Sequence, residues 1–497
     1  MRTTDGARVL PKSMPTSLAI CTIAIVLILG HAPRLFAQSQ TVSARRQSAP
    51  PAEPQSALIQ HRLPTPKSHE SIPSGAPQPG GTVDSLTLEE LEGIALQNNP
   101  TLVQASAQVQ AAQGQWLQAG LRPNPIIGYQ ASEVGNEGQS GQQGAFITQE
   151  LVRRNKLELS RLAGSQAVVQ ARQDFAAQRL RVLNDVRAEH FNVLVAQRAM
   201  ELTQELQSIT RRALETTDQL FRGKQVAYAD FLQARIESNS ADIAVENARN
   251  RHTAAWRRLS SVVGVPSMVA RRVSGSVEPP PDDFEWEATL TQLLTQSPQL
   301  ASARFGVSRA RAVLERARVE PVPNFVVQAG VQYDNASQYT IANVQVGIPV
   351  PILNRNQGNI QTAFADLRNA QAEVGRLELS LRNQLASVFE NYANSRNQVE
   401  KYTTNILPDA RSAVDLITKG YQQQQFSFLT LLTAQRTYTQ ASLAYLQALQ
   451  QHGVSRVALE GLLLTGSLRE AHAIDVPRVD TGIAPVFGPG QPLVETR

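Results

Sequence analysis

The sequence is short of cysteine, of aromatic residues and of any strong imbalance of charge. Its one cysteine, Cys21, falls inside an N-terminal apolar run, so no disulfide framework is open to the chain. Aromatic residues fill 5% of the 497 positions against a hydrophobic content of 42%, with Ala and Gln abundant. That balance suits long helices better than a compact enzyme. The formal net charge of +5 is small for this length, and the basic residues are scattered, which leaves no stripe for nucleic acid.

Long hydrophobic runs are scarce too. The one at Leu18–Leu29 is too short for a confident membrane span. Arg2, Arg8 and Lys12 precede it and the small Ala37 follows, the layout of an export signal over residues 1–37, cleaved before Gln38. Cys21, with apolar neighbours inside that run, is poorly placed for lipid attachment, so the mature chain is expected to lack both cysteine and lipid anchor. Residues 38–83 carry eight prolines among Ser and Gly and are expected to form a disordered linker. The same is expected of the tail, residues 465–497.

Catalytic groupings are missing as well. His190 has no second His, Cys or carboxylate at ligand spacing and is expected to be a packed or lumen-facing imidazole, with no metal and no cofactor implied. His252 and His452 occur once in each half, as repeat ancestry would leave them. Asp282, Asp283, Glu285 and Glu287 read as helix-start charges around Trp286. Ser260 and Ser261 lack an adjacent base, and no Gly-rich phosphate loop occurs. The chain is not expected to be an enzyme.

What is present is repetition. "FRGKQVAYADFLQARIESNSADIAVENAR" from Phe221 returns 200 positions later as "YQQQQFSFLTLLTAQRTYTQASLAYLQAL" from Tyr421. Upstream, Pro100, Leu102, Ala105, Pro123 and Pro125 fall on Pro298, Leu300, Ala303, Pro321 and Pro323 at an offset of 198. Two repeats follow, residues 84–264 and 265–464. Each reads as a helix broken before a proline (Leu86–Leu121 with its break at Asn99–Pro100, and Trp286–Val319), a strand pair after Pro-x-Pro, a very long helix, a turn and a returning helix.

The strand segments carry one apolar and one uncharged polar face. Phe325, Val327, Ala329, Val331 and Tyr333 alternate with Gln328, Gly330 and Gln332; Ala342, Val344 and Val346 alternate with Asn343, Gln345 and Gly347. The long helices show heptads, Leu162, Val169, Ala176 and Leu183 in the first half, and Leu381, Leu385, Val388, Tyr392 and Val399 within a stripe from Ile360 to Ile406 in the second. Each helix would be about 90 to 100 Å long. Four strands of this length could cross a bilayer but could not close alone, since single-chain barrels begin at about eight. Closure by oligomerisation is expected, a ring of three chains giving a twelve-stranded barrel continued by a helical one.

These residues resemble a known family. "LTLEELEGIALQNNPTLVQASAQVQAAQGQWLQAGLRPNP", its echo "SPQLASARFGVSRARAVLERARVEPVPN" and both turn phrases are similar to the TolC-type outer-membrane efflux proteins, over Leu86 to Leu464. "ITQELVRRNK" and the second turn phrase resemble the CzcC-like heavy-metal-efflux branch. The resemblance implies a mainly α fold with a membrane β-barrel contribution: a homotrimeric channel-tunnel in the outer membrane of a Gram-negative-type bacterium, extending through the periplasm. It also implies a periplasmic adaptor, an inner-membrane pump of the RND type, and outer-membrane lipid as partners.

On this reading the twin phrases are the two hairpin turns at the periplasmic tip, where the pore closes and the adaptor docks. The matching positions are Gly223, Ala227 and Asp230 in the first turn and Tyr421, Ser427 and Thr430 in the second. Thr430 and Thr433 stand where some relatives carry acidic residues, and the usual glycine of the second turn is lost within "QQQQ". Asp230 is expected to interact with the exposed amides of its helix, and more strongly if it also pairs with Arg222 or with a neighbouring chain. Drug efflux and type I protein secretion use the same conduit design, and a periplasmic coiled-coil adaptor is the alternative of another class. The uncharged strands separate that last reading from the channel.

Overall fold

The computed structural model describes residues 85–135, 140–278, 283–423 and 425–469, all within the unit Pro79–Arg497. The expected signal, the linker up to residue 83 and the tail beyond residue 469 lie outside the described residues. The first repeat contributes α1 (Leu88–Asn98), α2 (Pro100–Ala119), β1 (Ile126–Val134), β2 (Ser140–Leu151), α3 (Lys156–Arg222) and α4 (Tyr228–Val263). The second contributes α5 (Trp286–Gln296), α6 (Pro298–Val319), β3 (Phe325–Asp334), β4 (Tyr339–Gly347), α7 (Gln357–Lys401), α8 (Leu407–Gln422) and α9 (Phe428–Glu460).

Local chemistry sets the element ends. Thr87 and Glu90 form a reciprocal capping box that starts α1. Pro100 cannot donate into α1, so that helix stops, and Asn99 caps the next by accepting from Thr101 N. Ser297 and Pro298 do the same between α5 and α6. Asn99 also donates to the carbonyl of Val262, 2.7 Å away and buried, tying the kink to the end of α4. There Gly264 closes the helix at φ 85°, beside the backbone of Asn98, where a Cβ would collide.

The four strands form one antiparallel sheet in the order β1-β2-β3-β4, with β1 and β4 unpaired on their outer edges among the described residues. Its register carries the sequence alternation across the sheet. Tyr129, Ala145, Val331 and Ala342 form one row, and Ile127, Ile147, Ala329 and Val344 another. The intervening rows hold Gln130, Gly144, Gln332 and Ile341, then Gly128, Phe146, Gly330 and Asn343. The apolar rows are exposed: Ile127 is 76% accessible, Val331 56% and Val344 67%, whereas Gln332 is buried. A sheet in water turns its apolar face inward. This one is inverted, as a lipid-facing wall requires.

At 67 residues α3 is about 100 Å long. Its counterpart is not one regular helix. A five-residue π turn, Tyr402–Ile406, separates α7 from α8 just before Pro408. The wider loop runs from Leu407 N to Tyr402 O, and Pro408 has no amide to resume the α ladder immediately. The unbroken heptad expected there is corrected to two helices.

The first-half stripe is also displaced. Leu162 is exposed and Leu183 half-buried, while Ala167, Val168, Ala171, Val182, Val186 and Val193 are buried. The reason is that α3 packs against α1, α2, α4, α6 and α9, so its neighbours cover several faces instead of one seam. Each repeat has its own core where the short helices meet the long ones. Leu91, Val182, Val186 and Leu259 centre the first, and Leu293, Leu381, Leu385 and Tyr392 the second.

The chain past α9 is ordered further than expected. Asn184 donates to the carbonyls of Gly461 and Leu464, and Asp185 accepts from the amides of Gly466 and Ser467. Backbone groups at the end of α9 thus find partners on α3. Residues 465–469, expected to belong to an unstructured tail, are thus held against α3.

Candidate functional site

Two turns reverse the chain between the long helices, and they share one hydrogen-bond scheme. After α3, Gly223 N bonds to Gln219 O and Gln225 N to Leu220 O; after α8, Gln423 N bonds to Lys419 O and Gln425 N to Gly420 O. This overlapping pair satisfies the last carbonyls of each helix. In the first turn Lys224 takes the left-handed conformation, φ 55°, whereas Gly223 sits at −74° and Gln423 at −90°. Position 223 therefore needs no glycine, which explains why Gln423 serves in the second turn.

Restart of the helices differs. Ser427 accepts from Thr430 N at 3.2 Å, and the two hydroxyls lie 3.0 Å apart. Ala227 has the same extended backbone but no side chain with which to cap α4. Asp230 occupies the first turn of α4, where a carboxylate complements the free amides. Of its two possible partners Arg222 is taken within the chain, binding Asp218 one turn back on α3 at 2.7 Å. The i, i+4 neighbour is reached along the helix surface without crossing the turn. Asp230 instead lies within electrostatic reach of Tyr421 on the other hairpin. Burial raises the Tyr421 phenol above its ordinary range, and the Asp230 charge adds to that.

Of the six expected positions, then, Asp230 acts on Tyr421 through its charge, Ser427 and Thr430 form a cap, and Gly223 and Ala227 are backbone positions of the first turn. Sequence reasoning missed the aromatic packing. Phe221, Tyr228 and Phe231 cluster with centroids 5.3 to 6.1 Å apart, and Tyr421 meets Phe428 at 6.1 Å. In the second turn Phe426 covers Gly420 so closely that a Cβ there would overlap its ring. The echo held the signal, since Leu220 and Val226 in the first half become Gly420 and Phe426 in the second. Also missed was Arg436 on α9, which grips Glu237 on α4 with contacts of 2.5 and 3.1 Å and joins the two hairpins.

The other singled-out groups are structural. His190 is buried, with Nε2 3.2 Å from the carbonyl of Ser274, and burial holds its imidazole below the usual range. His452 is buried and stacked on Tyr392 at 5.1 Å. Asp283 is more than a helix-start charge: it pairs with Arg396 on α7 at 2.6 Å and accepts from the Tyr392 hydroxyl. Glu285 precedes α5 without a side-chain cap bond, and Asp282 lies outside the described residues.

A duplicated hairpin with twin turns, joined to half-repeats of an inside-out sheet, is a distinctive combination. The sequence model of the family described as "Outer membrane efflux protein" matches this chain twice, over residues 91–265 and 289–463. The chain belongs to that family. Among its relatives is the cobalt-zinc-cadmium resistance protein CzcC of Cupriavidus metallidurans, 26% identical over 383 residues, covering 76% of this chain and 90% of that one. Its fold is that of solved channels of the same kind. CusC superposes with a TM-score of 0.65 at 18% identity, over 76% of this chain and 92% of that one. The outer-membrane channel CmeC of Campylobacter jejuni gives 0.65 at 15% identity, over 77% and 87%. This efflux protein is therefore an outer-membrane channel of a Gram-negative-type bacterium, its hairpins extending into the periplasm, and both family and fold are those of channels and not of enzymes.

Proposed function

We propose that this channel is the passive outer conduit of a three-part efflux assembly, working as a homotrimer and carrying heavy-metal cations. The observation that carries the reading is the sheet: four strands, apolar outward, with both edges open. Unpaired edge groups cannot remain in lipid, so the edges must pair with other copies. Three copies of a four-stranded sheet supply twelve strands, enough for a closed barrel. The helical hairpins below would form the periplasmic part of the tunnel. Energy must come from elsewhere, and an inner-membrane pump of the RND type with a periplasmic adaptor fills that role. Metal cargo is supported by the likeness to a cobalt-zinc-cadmium resistance protein.

The hairpin turns are the mouth where the resting pore shuts and the adaptor docks, with Gly223, Ala227, Asp230, Tyr421, Ser427 and Thr430 placed there. The Glu237–Arg436 ion pair is a contact between hairpins that an opening motion would have to break, and the Asp230 charge acts on Tyr421 of the other hairpin.

The test is deletion of the gene in its own host. Loss of tolerance to cobalt, zinc or cadmium is expected, with tolerance to bulky drugs kept; the reverse pattern would reassign the cargo to drugs. Native mass spectrometry of protein extracted from outer membranes is expected to give a trimer, and a stable strand-rich monomer would sink the shared barrel. For the mouth, Asp230→Lys is expected to raise single-channel conductance in planar bilayers. An unchanged conductance in an intact trimer would remove Asp230 from the gate.

A further inference from the structure

Resting on the placement of the sheet in a bilayer, we propose that its helix-side rim binds the head groups of anionic phospholipids through Arg122, Arg153, Arg154 and Arg355. Positive charge is excluded from the strands, whose carboxylates lie near their ends, Glu150 on the helix side. No Lys or Arg lies between Arg122 and Arg153, nor between Arg318 and Arg355, and those two stretches contain all four strands. Glu133 and Asp334 stand at the opposite end, beside the strand-connecting loops.

The rim arginines sit on the connections between strands and helices. All four are exposed, and none has a carboxylate partner among the described residues. Neighbouring cations differ: Arg318 pairs with Glu315 at 2.8 Å, Arg316 with Glu320, and buried Lys156 also lies near Glu320. The positive charge without a carboxylate partner on this rim is thus carried by these four arginines.

Arg153 fixes which partner the rim faces. Its guanidinium lies over the ring of Phe325, 4.5 Å from the centroid, just past exposed Leu151 at the end of an outward apolar row. Both β2 and β3 are inner strands, so another copy pairing at β1 or β4 would leave Arg153 uncovered. Val350, Ile352 and Leu353, exposed at 73, 69 and 88%, carry the apolar surface down from β4 to Arg355. Apolar wall, aromatic ring and then guanidinium follow the order of acyl chain, glycerol level and phosphate in a leaflet. The opposite rim, with acidic groups and no cation, cannot make this match.

The probe is equimolar phosphatidylglycerol and phosphatidylethanolamine in nanodiscs loaded with the purified full-length protein, followed by native mass spectrometry of the lipids it retains. The wild type is expected to enrich phosphatidylglycerol. Arg153→Gln alone is expected to lower that enrichment about fivefold, and R122Q/R153Q/R154Q/R355Q to abolish it, while Glu133→Gln with Asp334→Asn leaves it unchanged. Equal retention of both lipids by the wild type would overturn the head-group site, as would enrichment that survives the fourfold variant or falls in the far-end one. Failure of the wild type to enter the discs at all would sink this site and the bilayer placement together.

Discussion

In the first hairpin α3 runs unbroken from Lys156 to Arg222 and into a turn lined by Leu220, Val226 and the Phe221–Tyr228–Phe231 cluster. In the second, the same path is taken by α7, a π turn and α8, into a turn where Gly420 makes room for Phe426. The backbone hydrogen bonds of the two turns coincide, so duplication preserved the reversal of the chain while the side chains drifted in compensating pairs. Two sequences can specify one turn because its geometry is set by the backbone bonds and the total volume beneath them. The helical discontinuity, a π turn just before Pro408, has no counterpart in α3.

The largest effect should come from transplanting half of a compensating pair. Gly420→Leu puts a side chain where Phe426 lies and is expected to destabilise the second turn by roughly 1–3 kcal/mol, with Phe426→Val in the same chain restoring most of it. Limited trypsin cleavage at Lys419 reads the outcome; equal cleavage in the single and double variants would mean the two positions are not coupled.

The caps are the next difference. Ser427→Ala should cost about 1 kcal/mol of local stability, and Ala227→Ser should confer a similar amount on α4. Hydrogen exchange of the first-turn amides of α9 and α4 would then move in opposite directions. Rates that stay put in both variants would make the Ser427 hydroxyl incidental.

Acid should act on both repeats alike. His190 and His452 each have a lowered imidazole pKa through burial, with the Arg456 charge a further cause at His452. The folded chain resists a proton that the unfolded chain accepts, so their contribution is present above the unfolded value, about 6.5, and is lost as pH falls below it. Thermal unfolding midpoints at pH 7.5 and 5.5 are expected to differ less in His190→Gln than in wild type. An identical difference would show that protonation of His190 is not linked to folding.

The smallest effect is expected from the bridge between hairpins. Arg436 and Glu237 are partly solvated, and a double-mutant cycle should return at most about 1 kcal/mol, shrinking with added salt. A coupling of zero at low salt would leave the hairpins independent at this level.

Much of this architecture was legible in the chain. The proline breaks at Pro100 and Pro298, the four alternating strands and both turns are where the sequence places them, because each depends on residues a few positions apart. Pro408 was the visible sign of the π turn, yet the apolar spacing around it is compatible with a straight helix, so pattern alone passed over it. Contacts set by tertiary neighbours were not legible. Arg436 meets Glu237 across 199 residues, and Asp185 holds the amides of Gly466 and Ser467 across some 280. The buried side of α3 likewise depends on five packed helices and not on its own period.

The inner rows of the sheet carry Gln130, Gln142, Gln328, Gln332, Asn343 and Gln345 among glycines, with no fixed charge in the middle of any strand. Amide dipoles can turn either end toward a passing ion, so the middle of this wall favours neither sign, and its only fixed charges are the carboxylates Glu150 and Asp334 near the strand ends among the described residues. On the proposed reading of the hairpin turns as the mouth, control of leakage falls to a narrowing there and not to charge in the sheet.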